Sequence, residues 1–142
     1  MREVIDTTKY ISIPYENKGR TFNGADCWGL MRLIFLYEYG IQLLSFTNEY
    51  EDASEGARIK EVVRYGKSLV KYKEKESPEY GDLVIFNMRG NPCHVGMYIG
   101  NNKVIHVLRG TNSVCERLTS IRLKGRVEGY YEITEKGRST SL

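Results

Sequence analysis

From Cys27 to Tyr39 the chain carries Leu30, Met31, Leu33, Ile34, Phe35 and Leu36, apolar positions that fall almost all the way round a helix. A helix of that kind is buried rather than laid on a surface, and Gly40 stands where its C-terminal stop belongs. The stretch "GADCWGLMRLIF", residues 24–35, opens this run with a cysteine behind an aspartate. If Asp26 caps or begins the helix, Cys27 lies in its first turn, where unpaired backbone N–H groups and the helix dipole favour negative charge. Such a position lowers a thiol from about 8.5 and yields the nucleophilic thiolate. The same N–H groups can form an oxyanion hole. A small buried cysteine with no chemistry is the ordinary alternative, so the rest of the chain has to decide.

The chain has 142 residues, 41% of them hydrophobic, enough for one real core. We expect a single domain over residues 1–134 and a frayed tail, "EKGRSTSL", over 135–142. Lys and Arg number 21 against 18 Asp and Glu, with no block of like charge; the mild basicity suits an anionic substrate and is too weak to argue for nucleic acid. No apolar run approaches the roughly 20 residues of a membrane span, and "MREVIDTTKY" lacks the apolar segment of a signal peptide, so synthesis in the cytosol and no membrane insertion are expected. Three cysteines argue against a disulfide framework.

Residues 1–23 read as an extended, loop-like lead-in, and a second helix is expected from about Ser54 to Leu69. After the charged connector "KYKEKESPEY", the runs "GDLVIF", "VGMYIG", "KVIHVL" and "VEGYYEI" read as an antiparallel meander, giving an α+β fold. The two histidines, His94 and His106, flank a turn at Gly100-Asn101-Asn102. With a three-residue loop, Ile99 opposes Lys103, and the two imidazoles fall diagonally across the ladder on one face. A base and the group that orients it have this arrangement, and with Cys27 they make the triad logic of thiol hydrolases. Two half-buried strand histidines would explain the positions but not the coincidence. Cys93 precedes His94 directly, so along a regular strand it points to the other face, away from the catalytic pair; Cys93 and Cys115 both read as incidental. No CxxC or HxxxH pair is present, and neither metal nor other cofactor is expected.

Taken in order, Pro14-Tyr15, "GADCWGL", "GDLVIF", "HVGMYIG" and "VIHV" twelve residues after His94 resemble the NlpC family of papain-like cysteine peptidases, which cut bacterial cell-wall peptides; the resemblance spans roughly Pro14 to Tyr131. It implies a papain-like fold with Cys27 as nucleophile, His94 as general base and His106 as the orienting third residue. Tyr15 matches a tyrosine of the oxyanion site, and Asp26 and Trp28, flanking the nucleophile, join it as candidate oxyanion or substrate residues. Peptidoglycan stem peptides are the implied substrate, cut after D-γ-glutamate next to diaminopimelate or lysine. Lys18, Arg20 or Arg109 are candidates to meet their carboxylates, each with a solvated surface charge as the plain alternative. Trp28 in place of the usual serine, the lead-in "ISIPYENKGR" and "GYY" at 129–131 resemble the bacteriophage tail-tip branch. That branch implies location at the virion tail tip, other tail-tip proteins as partners, and action on the host wall during penetration. Two alternatives stay open: a structural or assembly protein of the tail tip that keeps the peptidase fold, and amidase cleavage between the sugar and the first alanine.

Overall fold

In the computed structural model, which describes residues 1–43, 72–88 and 90–133, the apolar run forms helix α1, Cys27–Tyr39. Asp26 is its N-cap: the backbone there is extended, and a side-chain oxygen accepts from the Gly29 N–H at 2.8 Å. Gly40 ends the helix in the left-handed region at φ 66°, a conformation that costs a residue without Cβ nothing, while its N–H and that of Ile41 turn back to Leu36 and Phe35 carbonyls. Burial holds from Cys27 to Phe35 apart from Arg32 and then fails at the last turn, where Leu36 and Tyr37 are exposed.

Among the described residues, eight strands accompany α1: β1 Arg20–Thr21, β2 Gly24–Ala25, β3 Tyr72–Lys75, β4 Leu83–Met88, β5 Asn91–Tyr98, β6 Lys103–His106, β7 Val114–Arg117 and β8 Val127–Ile133. β1 and β2 form a small hairpin; the rest form one antiparallel sheet in the order β3-β8-β4-β5-β6-β7. Of the expected meander, β4, β5 and β6 pair in order. The last strand departs from it: β8 returns to pair with β4 on the far side, and β3, read from sequence as part of a charged connector, pairs with β8. β7 was also missed, because "VCER" is too short and polar to announce a strand without its partner. The helix expected at Ser54 to Leu69 and the tail at 135–142 lie outside the described residues.

Alternation divides the sheet into two apolar faces. Leu83, Ile85, Val95, Met97 and Ile105 pack with Leu30, Met31, Ile34 and Phe35 of α1. Val84, Phe86 and Val104 pack instead with Leu118 and Leu123, which belong to the segment crossing from β7 to β8. The lead-in is far from loose: Tyr10 and Ile13 are buried, and the Ser113 hydroxyl accepts from the Ile13 N–H at 2.8 Å and donates to the Tyr10 carbonyl at 2.6 Å. Tyr15 continues this docking, with its N–H donating to the Thr111 carbonyl and a bridge to Ala25.

The helix entry is locked by close backbone approach. A Cβ at Gly29 would lie 2.0 Å from the Gly19 carbonyl oxygen, and a Cβ at Gly19 would lie 2.4 Å from the carbonyl oxygen of Gly24. Neither neighbour is a flexible side chain that can swing away. Gly29→Ala should therefore cost about 1–3 kcal/mol or more by overpacking, although alanine favours helix elsewhere. Denaturant unfolding checks this, and a variant as stable as wild type would show that the contact yields.

Candidate active site

Cys27 enters the site from the first turn of α1, and His94 and His106 enter from β5 and β6. The turn is as the sequence predicts: the Ile99 N–H donates to the Lys103 carbonyl at 3.0 Å, and β5 and β6 pair through Met97↔Ile105 and Tyr98↔Val104. In this register His106 sits across from Gly96, where a side chain would press within 3.1 Å of the His106 Cβ. His94 lies one diagonal step away, and its Nε2 is 2.8 Å from His106 Nδ1. Phe86 flanks both rings, with centroids 5.4 Å from His94 and 6.4 Å from His106.

A further step was not foreseen from the sequence. His106 Nε2 is 2.7 Å from Glu116 Oε1, again diagonal across neighbouring strands, since β6 and β7 pair through Val104↔Glu116 and His106↔Val114. Glu116 is gripped in turn by Arg122 at 2.7 and 3.2 Å and by the Ser120 hydroxyl at 2.6 Å, both from the crossing segment. Equal parity of His106 and Glu116 across the turn at 109–112 was the available signal, and it becomes readable only once β7 is known to be a strand.

A carboxylate only accepts hydrogen bonds, so His106 carries its proton on Nε2, and its Nδ1 accepts from His94 Nε2–H. His94 Nδ1 is left as the basic nitrogen. Burial lowers the pKa of His94 well below the usual imidazole value, with His106 and Arg122 acting the same way and Glu116 opposing them. His106 is lowered too, by burial first and against the pull of Glu116. Burial pushes Glu116 up, but hydrogen bonds from Arg122, Ser120 and His106 outweigh it and leave the carboxyl at about 2. Two neutral rings beside a carboxylate are what this proton order requires.

Cys27, His94 and Tyr15 line one cleft of about 440 Å³, with Arg109, Arg122 and Arg126 also on its walls. Cys93 lines it as well, while packing with Val95 in the α1-side cluster, whereas His94 packs on Phe86 of the other face, as alternation predicts. A shift of register between Phe86 and Asn87, where Phe86 pairs with His94 but Asn87 pairs with Pro92, leaves Cys93 as the extra residue of β5. The two residues flanking Cys27 do not join the cleft. Asp26 is fully buried as the cap, paired with Arg20 at 2.8 Å and accepting from the Lys18 N–H at 3.0 Å. Trp28 is packed in the core on the helix face. Of the basic candidates, Arg20 is spent on Asp26, whereas Arg109 stands at the cleft. Among the described residues no cluster of metal-ligating side chains occurs.

With this geometry in hand, comparison with known proteins is informative. Residues 12–129 match the NlpC/P60 family. The chain belongs to that family. It is 31% identical over 94 residues to the murein DD-endopeptidase MepS/murein LD-carboxypeptidase of Escherichia coli K12, covering 66% of this chain and 42% of that protein. It is 29% identical over 104 residues to the probable peptidoglycan endopeptidase LytE of Bacillus subtilis 168, covering 72% and 25%. The chain thus spans less than half the length of these curated relatives. In fold it matches the NlpC/p60 domain of the peptidoglycan hydrolase SagA, at TM-score 0.58 and 20% identity over 89% of this chain and 91% of that one. It also matches NlpC2 of Trichomonas vaginalis at TM-score 0.63 and 19% identity, over 89% and 44%. The α+β papain-like architecture expected from the sequence is the one observed.

In this NlpC/P60 chain burial works against the negative charge on sulfur that the helix N-terminus is expected to favour. Burial, with the Asp26 carboxylate adding to it, pushes the Cys27 thiol up to about 12, and the N–H of Val95 opposes this only in part. The helix N-terminus is present, but a site only 2% exposed removes the solvation a thiolate needs. Cys27 should therefore be protonated at neutral pH. Its alkylation by iodoacetamide should be slow at pH 6 and climb by about tenfold per pH unit from 7 to 10, behind the exposed Cys115. A rate plateau for Cys27 below pH 7, read by peptide mass mapping, would mean that the thiolate is already formed.

Proposed function

We propose that the chain is a cysteine peptidase that cuts amide bonds in peptidoglycan stem peptides. The observation that carries this reading is the meeting, in one cleft, of the only cysteine at the start of α1 with a histidine whose partner histidine fixes its proton. A thiol and a neutral imidazole sharing one cleft support a general-base reading. The proton of Cys27 Sγ passes to His94 Nδ1 as sulfur bonds to the carbonyl carbon, and the imidazolium then protonates the departing amine. First-turn N–H groups of α1, with Tyr15 in the same cleft, receive the oxyanion. Water, deprotonated by His94, releases the acyl group from sulfur.

The family and the named activities of its relatives support peptidoglycan as substrate class. For the scissile bond we propose the one after D-γ-glutamate, next to diaminopimelate or lysine. The features Trp28, "ISIPYENKGR" and "GYY" further support delivery by a bacteriophage tail tip, with other tail-tip proteins as neighbours and the host wall as target.

Purified protein incubated with sacculi, followed by mass analysis of the released muropeptides, tests the reaction. A new amino terminus on diaminopimelate or lysine is expected, and one on the first alanine would mark an amidase. Cys27→Ala should abolish release. No release by a protein whose Cys27 alkylates would favour the structural tail-tip reading, and antibody labelling of virion tips would test location.

His106 accepts from one neighbour and donates to another, a pair of roles that a carboxamide can copy. His106→Gln or His106→Asn should retain more turnover than His106→Ala, which should lose about 10²-fold or more in kcat. Equal activity of all three would remove His106 from the reaction.

A further inference from the structure

We infer that Glu116 is a fourth member of the catalytic array, a positioning residue that sets the proton order of both histidines and supplies the negative charge that a protonated His94 needs. The inference rests on the peptidase reading for its consequence in turnover, but not for its geometry. Three charged or titratable groups lie on one face of three successive strands, His94 on β5, His106 on β6 and Glu116 on β7, joined at 2.8 and 2.7 Å. Each link is a diagonal between adjacent strands, so the spacing is fixed by the ladder rather than by flexible side chains.

His106 alone would not suffice as orienter. A neutral imidazole can hold its proton on either nitrogen, and His106 with Nδ1–H would present a donor to His94 Nε2 and turn that ring round electronically. His94 would then carry its own proton on Nδ1, the nitrogen that must take one from sulfur. The Glu116 carboxylate removes this choice. Its own orientation is held by the two contacts from Arg122 and one from Ser120, while Phe86 packs both rings from the side. When His94 is protonated during attack, the charge lies in a buried chain that ends on a carboxylate, and the proton order need not reverse.

The groups facing this array are His94, His106 and Glu116 themselves, Arg122 beside Glu116, and Cys27, Arg109 and Arg126 on the cleft walls. Removing the carboxylate charge should make both rings harder to protonate, and removing the Arg122 charge should make them easier. The two variants Glu116→Gln and Arg122→Gln therefore carry opposite signs. In ¹⁵N-histidine-labelled protein the wild type should show both rings neutral with the proton on Nε2. In Glu116→Gln the downfield Nε2–H resonance of His106 should move upfield. On solubilised muropeptides, the acid limb of kcat/KM should move about one pH unit lower in Glu116→Gln and higher in Arg122→Gln. For Glu116→Gln kcat should fall about tenfold or more, with KM little changed.

A simple loss of packing would lower activity without moving the limbs in opposite directions. A wild-type spectrum with the His106 proton on Nδ1 would overturn the inference, and so would shifts of the same sign in both variants. If Glu116→Gln does not fold, the wild-type tautomers and the Arg122→Gln limb decide alone. An ordered spectrum in a protein that releases nothing from peptidoglycan would sink the peptidase reading and leave the role of Glu116 standing.

Discussion

The site depends first on one buried carboxylate. Asp26 caps α1 through the Gly29 N–H, pairs with Arg20 of the β1–β2 hairpin and accepts from the Lys18 backbone. A cap of this kind is ordinarily exposed and contributes about 1 kcal/mol. Here it also ties the lead-in to the helix, and the same lead-in carries Tyr15 to the cleft. Cys27 follows the cap directly, so the placement of the sulfur is a consequence of how Asp26 is satisfied. A carboxylate this close also carries a cost for function, because its charge opposes ionisation of the neighbouring thiol.

Burial then sets the chemistry. Removal of solvent disfavours charge on Cys27, His94 and His106 alike. The resting state is a neutral chain that ends on one anion, Glu116, itself held by an arginine. In the proposed reaction, charge appears at the sulfur and His94 only as bonds form and break. An arrangement of this type stores its electrostatic bias in fixed hydrogen bonds rather than in a preformed ion pair, and those bonds are aligned by the strand ladder before any substrate arrives.

The crossing segment between β7 and β8 explains why the sheet is not a plain meander. Leu118 and Leu123 cover the apolar patch of Val84, Phe86 and Val104 on the face away from α1. In reaching it, the segment passes Glu116 and brings Ser120 and Arg122 onto the carboxylate. Packing and positioning thus come from the same nine or so residues, and β8 is left on the open side of β4.

The sequence by itself determined the elements whose signals are local. The all-round apolar run gave α1, Asp26 and Gly40 gave its ends, and the turn at 100–102 put His94 and His106 on one face, because a strand's period of two is rigid. Family membership and the α+β fold followed from motifs in order. Only the tertiary structure decided what depends on long-range neighbours. β3 and β7 are strands because edges were available to pair with, and a register shift leaves Cys93 as an extra residue of β5. Asp26 and Trp28 turn inward, to a cap and to the core, although they flank Cys27. Burial and the Asp26 carboxylate, finally, push the thiol up against the pull of its position at a helix N-terminus. Charge at a buried atom is set by everything around it in three dimensions, and a linear pattern records only the two neighbours along the chain.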